Sequence, residues 1–97
     1  MAEVIWSPAA QRDLHSIHDR IAQDSPFYAQ RFVLNLIRHA DSLTDQPMRG
    51  HMVKEFGDRS IRETTFGAYR IIHRVHSGQV QIVRVFHSKR KLGRKEL

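Results

Sequence analysis

At 97 residues, with 40% hydrophobic and 27% charged side chains, the chain has the size and balance of one soluble globular domain with a single modest core. It has no cysteine, which excludes disulfides and thiolate metal sites, and no apolar run exceeds four residues, so the sequence predicts a cytoplasmic protein without a signal or membrane-spanning segment. Ten of its 16 Lys and Arg follow Asp58, where only Glu63 and Glu96 oppose them, so this stretch carries +8 of a net +6 and the rest −2. That asymmetry favours an anionic partner, although a solvated basic face accounts for the same charge.

In chain order, residues 3–6 are rich in β-formers and predict a short strand. Ser7-Pro8 then starts a helix, Ser as N-cap and Pro at the first helical position. Ala10, Leu14, Ile17 and Ile21 recur at steps of three and four and form one apolar stripe. Ser25-Pro26 repeats the start signal. Ala29, Val33, Leu36, Ala40 and Leu43, widened by Phe32 and Ile37, continue as a second helix that Pro47 and Gly50 prevent from extending. Residues 45–50 read as a linker, and residues 53–56 and 61–65 as further strands.

Residues 69–75 and 80–87 alternate as strands around Ser77-Gly78, a two-residue hairpin connection. Counting outward opposes Val75 to Val80, His73 to Ile82, Ile71 to Arg84 and Tyr69 to Phe86, and this mostly apolar face is expected to be core. Arg84 is its misfit and requires the sheet edge or a partner. The other face carries Arg70, Ile72, Arg74, Gln81, Val83 and Val85, with His87 beyond, and is the expected working surface. The helical stripes can be covered only by the core face, which gives an α+β fold: an N-terminal strand and a two-helix hairpin on one face of an antiparallel sheet, βααβββ, in a single domain spanning residues 1–97.

Seven histidines invite a metal reading, but His73 and His76 point to opposite faces of a strand, and His15 and His18 lie beside the buried stripe of Leu14 and Ile17. Without His-Glu-x-x-His spacing, a glycine-rich phosphate loop or a Gly-x-Ser-x-Gly elbow, no metal, cofactor, nucleotide chemistry or serine hydrolysis is expected. Arg70, Arg74, His87 and Arg90 are expected to converge at one end of the working face. Guanidinium groups there can stabilise a phosphorane-like oxyanion while an imidazole moves a proton, with Glu63 the candidate second acid or base. Surface charge without catalysis explains the same residues.

The order of Trp6, Ala10, Asp13-Leu14, Ala29-x-x-Phe32, Pro47-x-x-Gly50, Arg62-Glu63, Tyr69-Arg70-Ile71-Ile72 and Val85-Phe86-His87-x-x-Arg90 resembles the RelE/ParE superfamily of toxins from bacterial toxin–antitoxin modules. The resemblance implies a βααβββ toxin held inactive by a co-encoded antitoxin, ParD-like or of another class, whose C-terminal segment wraps it in a hetero-oligomer. It also implies one of two targets. RelE-like members cut messenger RNA on the ribosome, whereas ParE-like members inhibit DNA gyrase and are not nucleases. Where the RelE type keeps two lysines and a C-terminal tyrosine, this chain holds Ile61, Glu63 and Glu96. Arg70 and Arg90 match that type, and a ribosome-dependent subgroup uses a histidine near the place of His87. The ending Val-Phe-His-Ser-Lys-Arg is most similar to the ParE pattern. The expected target surface is Arg70, Arg74, His87, Lys89, Arg90 and Lys91, and the expected antitoxin surface is Ile17, Ile21, Phe32, Leu36 and Arg84. A ribonuclease would use Arg70, His87, Arg90 and Glu63. The alternatives to gyrase inhibition are ribosome-dependent RNA cleavage and a non-toxic binding module of the same fold.

Overall fold

Ser7 and Ser25 start both helices as their sequence context demands. In the computed structural model, which describes residues 2–90, the Ser7 hydroxyl accepts from the Ala10 amide at 3.0 Å and that of Ser25 from the Tyr28 amide at 3.2 Å. Strand β1 (Glu3–Trp6) leads into α1 (Pro8–Ala22) and α2 (Pro26–Asp41), followed by a 3-10 turn at Ser42–Thr44. The chain then forms β2 (His51–Met52), β3 (Ile61–Phe66), β4 (Tyr69–His76) and β5 (Gln79–His87). The five strands lie in the order β1-β5-β4-β3-β2.

The sheet is mixed. β2 to β5 are antiparallel neighbours, but β1 runs parallel to β5, with Glu3 opposite Gln79 and Trp6 opposite Ile82. The helical crossover between β1 and the remaining strands permits this parallel placement. Residues 53–56 are not a strand: β2 is confined to His51 and Met52, and the following turn buries Val53 against Ile61, Ile72 and Phe86.

Ser77 and Gly78 both have positive φ (49° and 74°), as a primed two-residue turn requires, and the expected pairs Val75–Val80 and His73–Ile82 form. The register then slips. Between Ile72 and His73 a β-bulge absorbs one residue of β5, so that Ile72 opposes Arg84, Ile71 opposes Val85, Arg70 opposes Phe86 and Tyr69 opposes His87. Beyond the bulge every β5 side chain changes face relative to simple counting. Val85, expected on the working face, joins Ile71, Tyr69, Val80 and Ile82 under the helices. Phe86, expected in the main core, instead forms a second cluster with Val53, Ile61 and Ile72 on the far face. The far face is therefore partly a small core, not wholly a working surface.

The main core joins the helix stripes to the sheet through Ala10, Ile17, Leu36, Ala40 and Leu43. Phe32 bridges the layers, its ring 5.4 Å from Phe66 and 5.7 Å from Tyr69. Because β1 pairs with β5 only as far as Ile82, the edge of β5 beyond it is covered by α1. The Ser7 hydroxyl donates to the Val83 carbonyl at 2.8 Å, and the Asp13 carboxylate accepts the Val85 amide at 2.8 Å together with Arg84 Nε at 2.8 Å and Nη2 at 3.0 Å. Arg84 thus has both features its sequence position required, an edge and a partner.

A strap at residues 46–50 closes the opposite side. His73, fully buried on β4, bonds the Pro47 carbonyl through Nε2 at 2.8 Å, and Arg62 Nη2 donates to the Gly50 carbonyl at 2.8 Å. Gly50 sits at φ +93°, and a Cβ there would lie 2.1 Å from the Glu63 carbonyl oxygen, so only glycine fits.

Three outcomes follow from these ties. Asp13→Asn weakens the three hydrogen bonds that the carboxylate accepts from β5, and a thermal melt should show a loss of about 2 kcal/mol. Gly50→Ala combines left-handed strain with the backbone clash and should lower Tm by roughly 10 °C or more. Burial lowers the pKa of His73, the Pro47 hydrogen bond opposes this, and the charge of Arg62 adds to the lowering. The unfolded chain therefore binds the extra proton first, so the contribution of His73 is complete above its ordinary value of 6.5 and lost as pH falls below it. Melting at pH 7.5 and 5.5 should show the decline, and His73→Gln, which retains a donor for Pro47, should flatten it.

Candidate functional site

The last turn of β5 gathers the basic residues in two places rather than one. On the far face, the Phe86 ring lies beneath two guanidiniums, Arg84 at 4.4 Å and Arg90 at 4.7 Å from its centroid. The bulge creates this arrangement, because it turns Phe86 to the side on which Arg70 stands as its cross-strand neighbour. On the near side a cleft opens between α1 and the end of β5, lined by Arg20, Arg84, His87 and Arg90, with Asp13 and Tyr69 in its wall.

Arg70 does not present a free charge. Its Nε and Nη2 both reach Glu63 Oε2 at 2.5 Å, and Glu55 Oε2 lies 3.6 Å from Nη2. Its side chain is 13% exposed, so two carboxylates neutralise it in a setting poorly screened by water. Glu63 shares the far face because it lies diagonally across the β3–β4 hairpin from Arg70, whose direct partner is Thr65.

His87, expected beside Arg70, is turned by the bulge to the helix side, where its ring meets Tyr69 edge-on at 5.5 Å. Its Nδ1 accepts the Lys89 amide at 3.2 Å, which leaves Nε2 to carry the hydrogen of the neutral ring. Arg74 does not converge with the others. Four residues along β4 from Arg70, it stands roughly 13 Å away and lines a separate hollow with Ile5, His76 and Gln81. Lys89 is exposed beside the cleft, while Lys91 and Glu96 lie outside the described residues.

The expected antitoxin surface is also redistributed. Ile17 and Leu36, 6% and 0% exposed, are committed to the core, and Ile21 and Phe32 pack against it half-buried. Arg84 is held by Asp13. Among the described residues, the large apolar side chains that are exposed are Phe27, Tyr28, Leu34, Met48 and Met52, with Ile5 at the sheet edge.

Sequence reasoning passed over Asp13 as a site residue, along with Arg20 and Glu55. Asp13 and Arg20 are seven apart on α1, with Ile17 between them, so both lie on the helix face directed at β5. That spacing was a readable signal, whereas the reach of Glu55 depends on the turn after β2. The site can grip an anionic or acidic surface through Arg20, Arg84 and Arg90. It brings Glu63 to Arg70 but leaves His87 on the other face of the sheet.

Residues 4–92 match the family described as the ParE toxin of the type II toxin–antitoxin system parDE. The chain is 41% identical over 91 residues to Toxin RelE2 of Caulobacter vibrioides, covering 93% of this chain and 99% of that protein. Its fold is similar to that in the chromosomal ParDE toxin–antitoxin system of P. aeruginosa, with a TM-score of 0.78 at 21% identity over 92% of this chain and 98% of that one. It also matches a chain of the RelBE2 toxin–antitoxin complex of Mycobacterium tuberculosis, with a TM-score of 0.65 at 24% identity over 89% and 90%. On the family match over nearly its whole length, this chain belongs to the ParE toxins of type II toxin–antitoxin systems.

Proposed function

We propose that this toxin acts by binding DNA gyrase, through the cleft and ring system at the end of β5, and that a co-encoded antitoxin neutralises it. The observation that carries this reading is the state of Arg70. A guanidinium already shared by Glu63 and Glu55 offers a scissile phosphate less net positive charge than an unpaired one, which disfavours metal-free RNA cleavage. His87 on the opposite face supports the same reading, since its imidazole then does not stand with Arg70 at one phosphorus. What the end of β5 does offer is a fixed array: Asp13 orients Arg84, and Arg84 and Arg90 lie against Phe86. Such an array suits recognition of a large acidic surface.

The antitoxin follows from the family, whose solved relatives come from toxin–antitoxin systems. A second reading has one observation in its favour. The relative at 41% identity bears the name RelE2, and ribosome-dependent cleavage of messenger RNA is the activity that the RelE resemblance implies.

Purified protein added to gyrase and relaxed plasmid should block supercoiling and accumulate cleaved plasmid. Arg90→Ala should weaken inhibition about ten-fold. Undisturbed supercoiling would sink the proposal. Transcript ends that appear on ribosomes with the native toxin and vanish with His87→Ala would replace it with the second reading.

A further inference from the structure

The ladder between β2 and β3 is short. It pairs His51 with Glu63 and Met52 with Arg62, and the chain before it turns away at Gly50 with φ 93°. The Val53 amide bonds the Ile61 carbonyl, which fixes the parity of this edge: main-chain groups of Ile61, Glu63 and Thr65 point away from β4. Since β3 continues to Phe66, the N–H and C=O of Thr65 form an open strand edge past the last β2 pair.

Beside that edge runs a groove lined by His39, Arg49, His51, Glu63, Thr64 and Thr65. Arg49 bonds only neutral oxygens, Gln46 Oε1 at 3.0 Å and Ser42 Oγ at 2.8 Å. No carboxylate pairs with it among the described residues, and the side chain of nearby Glu63 is turned to Arg70 on the other face. The field of Arg49 is felt at His39, whose pKa is lowered first by burial and then by that charge. In the groove wall, the hydroxyl of Thr64 is buried without a hydrogen-bond partner, the residue being 9% exposed. An open strand edge, an uncompensated guanidinium and an unpartnered buried hydroxyl therefore share one groove outside the cleft at the end of β5.

We propose that this groove is a docking site for an extended acidic peptide segment, with a carboxylate on Arg49 beside His39 and His51 and its main chain paired to Thr65. Charge complementarity selects an acidic partner, and the open strand edge selects a polypeptide, because its amides satisfy Thr65 and a phosphodiester chain has none. The proposal rests on the reading of this chain as a toxin held by a partner protein, and makes the acidic segment part of that antitoxin.

The test is an amide chemical-shift titration of the labelled protein with acetyl-hexaglutamate amide, with orthophosphate and a short oligothymidylate as parallel arms. Saturable shifts concentrated at Arg49, His51 and Thr65 are expected with the peptide. Arg49→Gln should weaken its affinity about five-fold. Thr65→Pro, which removes an N–H that points outward from the strand edge, should weaken it comparably. Lys54→Gln, the loss of a charge outside the groove, should leave it unchanged. Should Arg49→Gln fail to fold, His51→Gln, at an exposed position, supplies the comparison. Shifts scattered over the basic surface, an absence of saturation, or phosphate or oligothymidylate held in the groove as tightly as the peptide would overturn the proposal. The gyrase assay reads the end of β5 and the titration reads this groove, so the two proposals fail independently.

Discussion

The carboxylate of Asp13 is the tie on which the candidate functional end of the molecule depends. It accepts three hydrogen bonds from β5, two from the Arg84 guanidinium and one from the Val85 amide, where β1 has ended and the strand would otherwise show a bare edge. One helical side chain therefore seals the sheet, anchors α1 against it and aims a guanidinium at the Phe86 ring. Such a partly buried, bidentate pair holds its geometry far better than an exposed one, because little solvent competes for either partner.

The β5 bulge decides what that end can do. Without the slip beside Ile72, Phe86 would lie under the helices and His87 would stand near Arg70. With it, the far face gains a small apolar centre bordered by Arg84, Arg90 and the Arg70–Glu63 pair, and the imidazole faces the helices. Arg70, which matches a nuclease position, thereby stands on the opposite face from His87. Charge is present in quantity, but at Arg70 it is already neutralised, and at Arg74 it is displaced along the strand.

Much of this fold was legible in the chain. Ser-Pro pairs marked both helix starts, the stripe from Ala10 to Ile21 marked the buried face, and Ser77-Gly78 fixed the hairpin and its first pairs. What stayed hidden has physical causes. A bulge leaves no trace in an alternating run such as Val80 to Val85, since the inserted residue is as β-prone as its neighbours. A parallel edge strand is placed by tertiary packing and not by the four residues that form it. The burial of Ile17 and Leu36 was implicit in their stripe, and assigning them to a partner as well as to the core counted one surface twice. The Glu63–Arg70 pair was recoverable from the two-residue Gly67-Ala68 turn, which sets the β3–β4 register and puts both side chains on one face.

The parallel pairing of β1 with β5 has a consequence for synthesis. Glu3 leaves the ribosome early but waits for Gln79, and the apolar stripes of α1 and α2 wait equally for Val80, Ile82 and Val85 to cover them. The helical hairpin, being local, forms quickly, whereas closing the sheet demands nearly the full chain and the slower step of long-range pairing. Until β5 is available, the apolar sides of α1 and α2 therefore have no sheet to cover them.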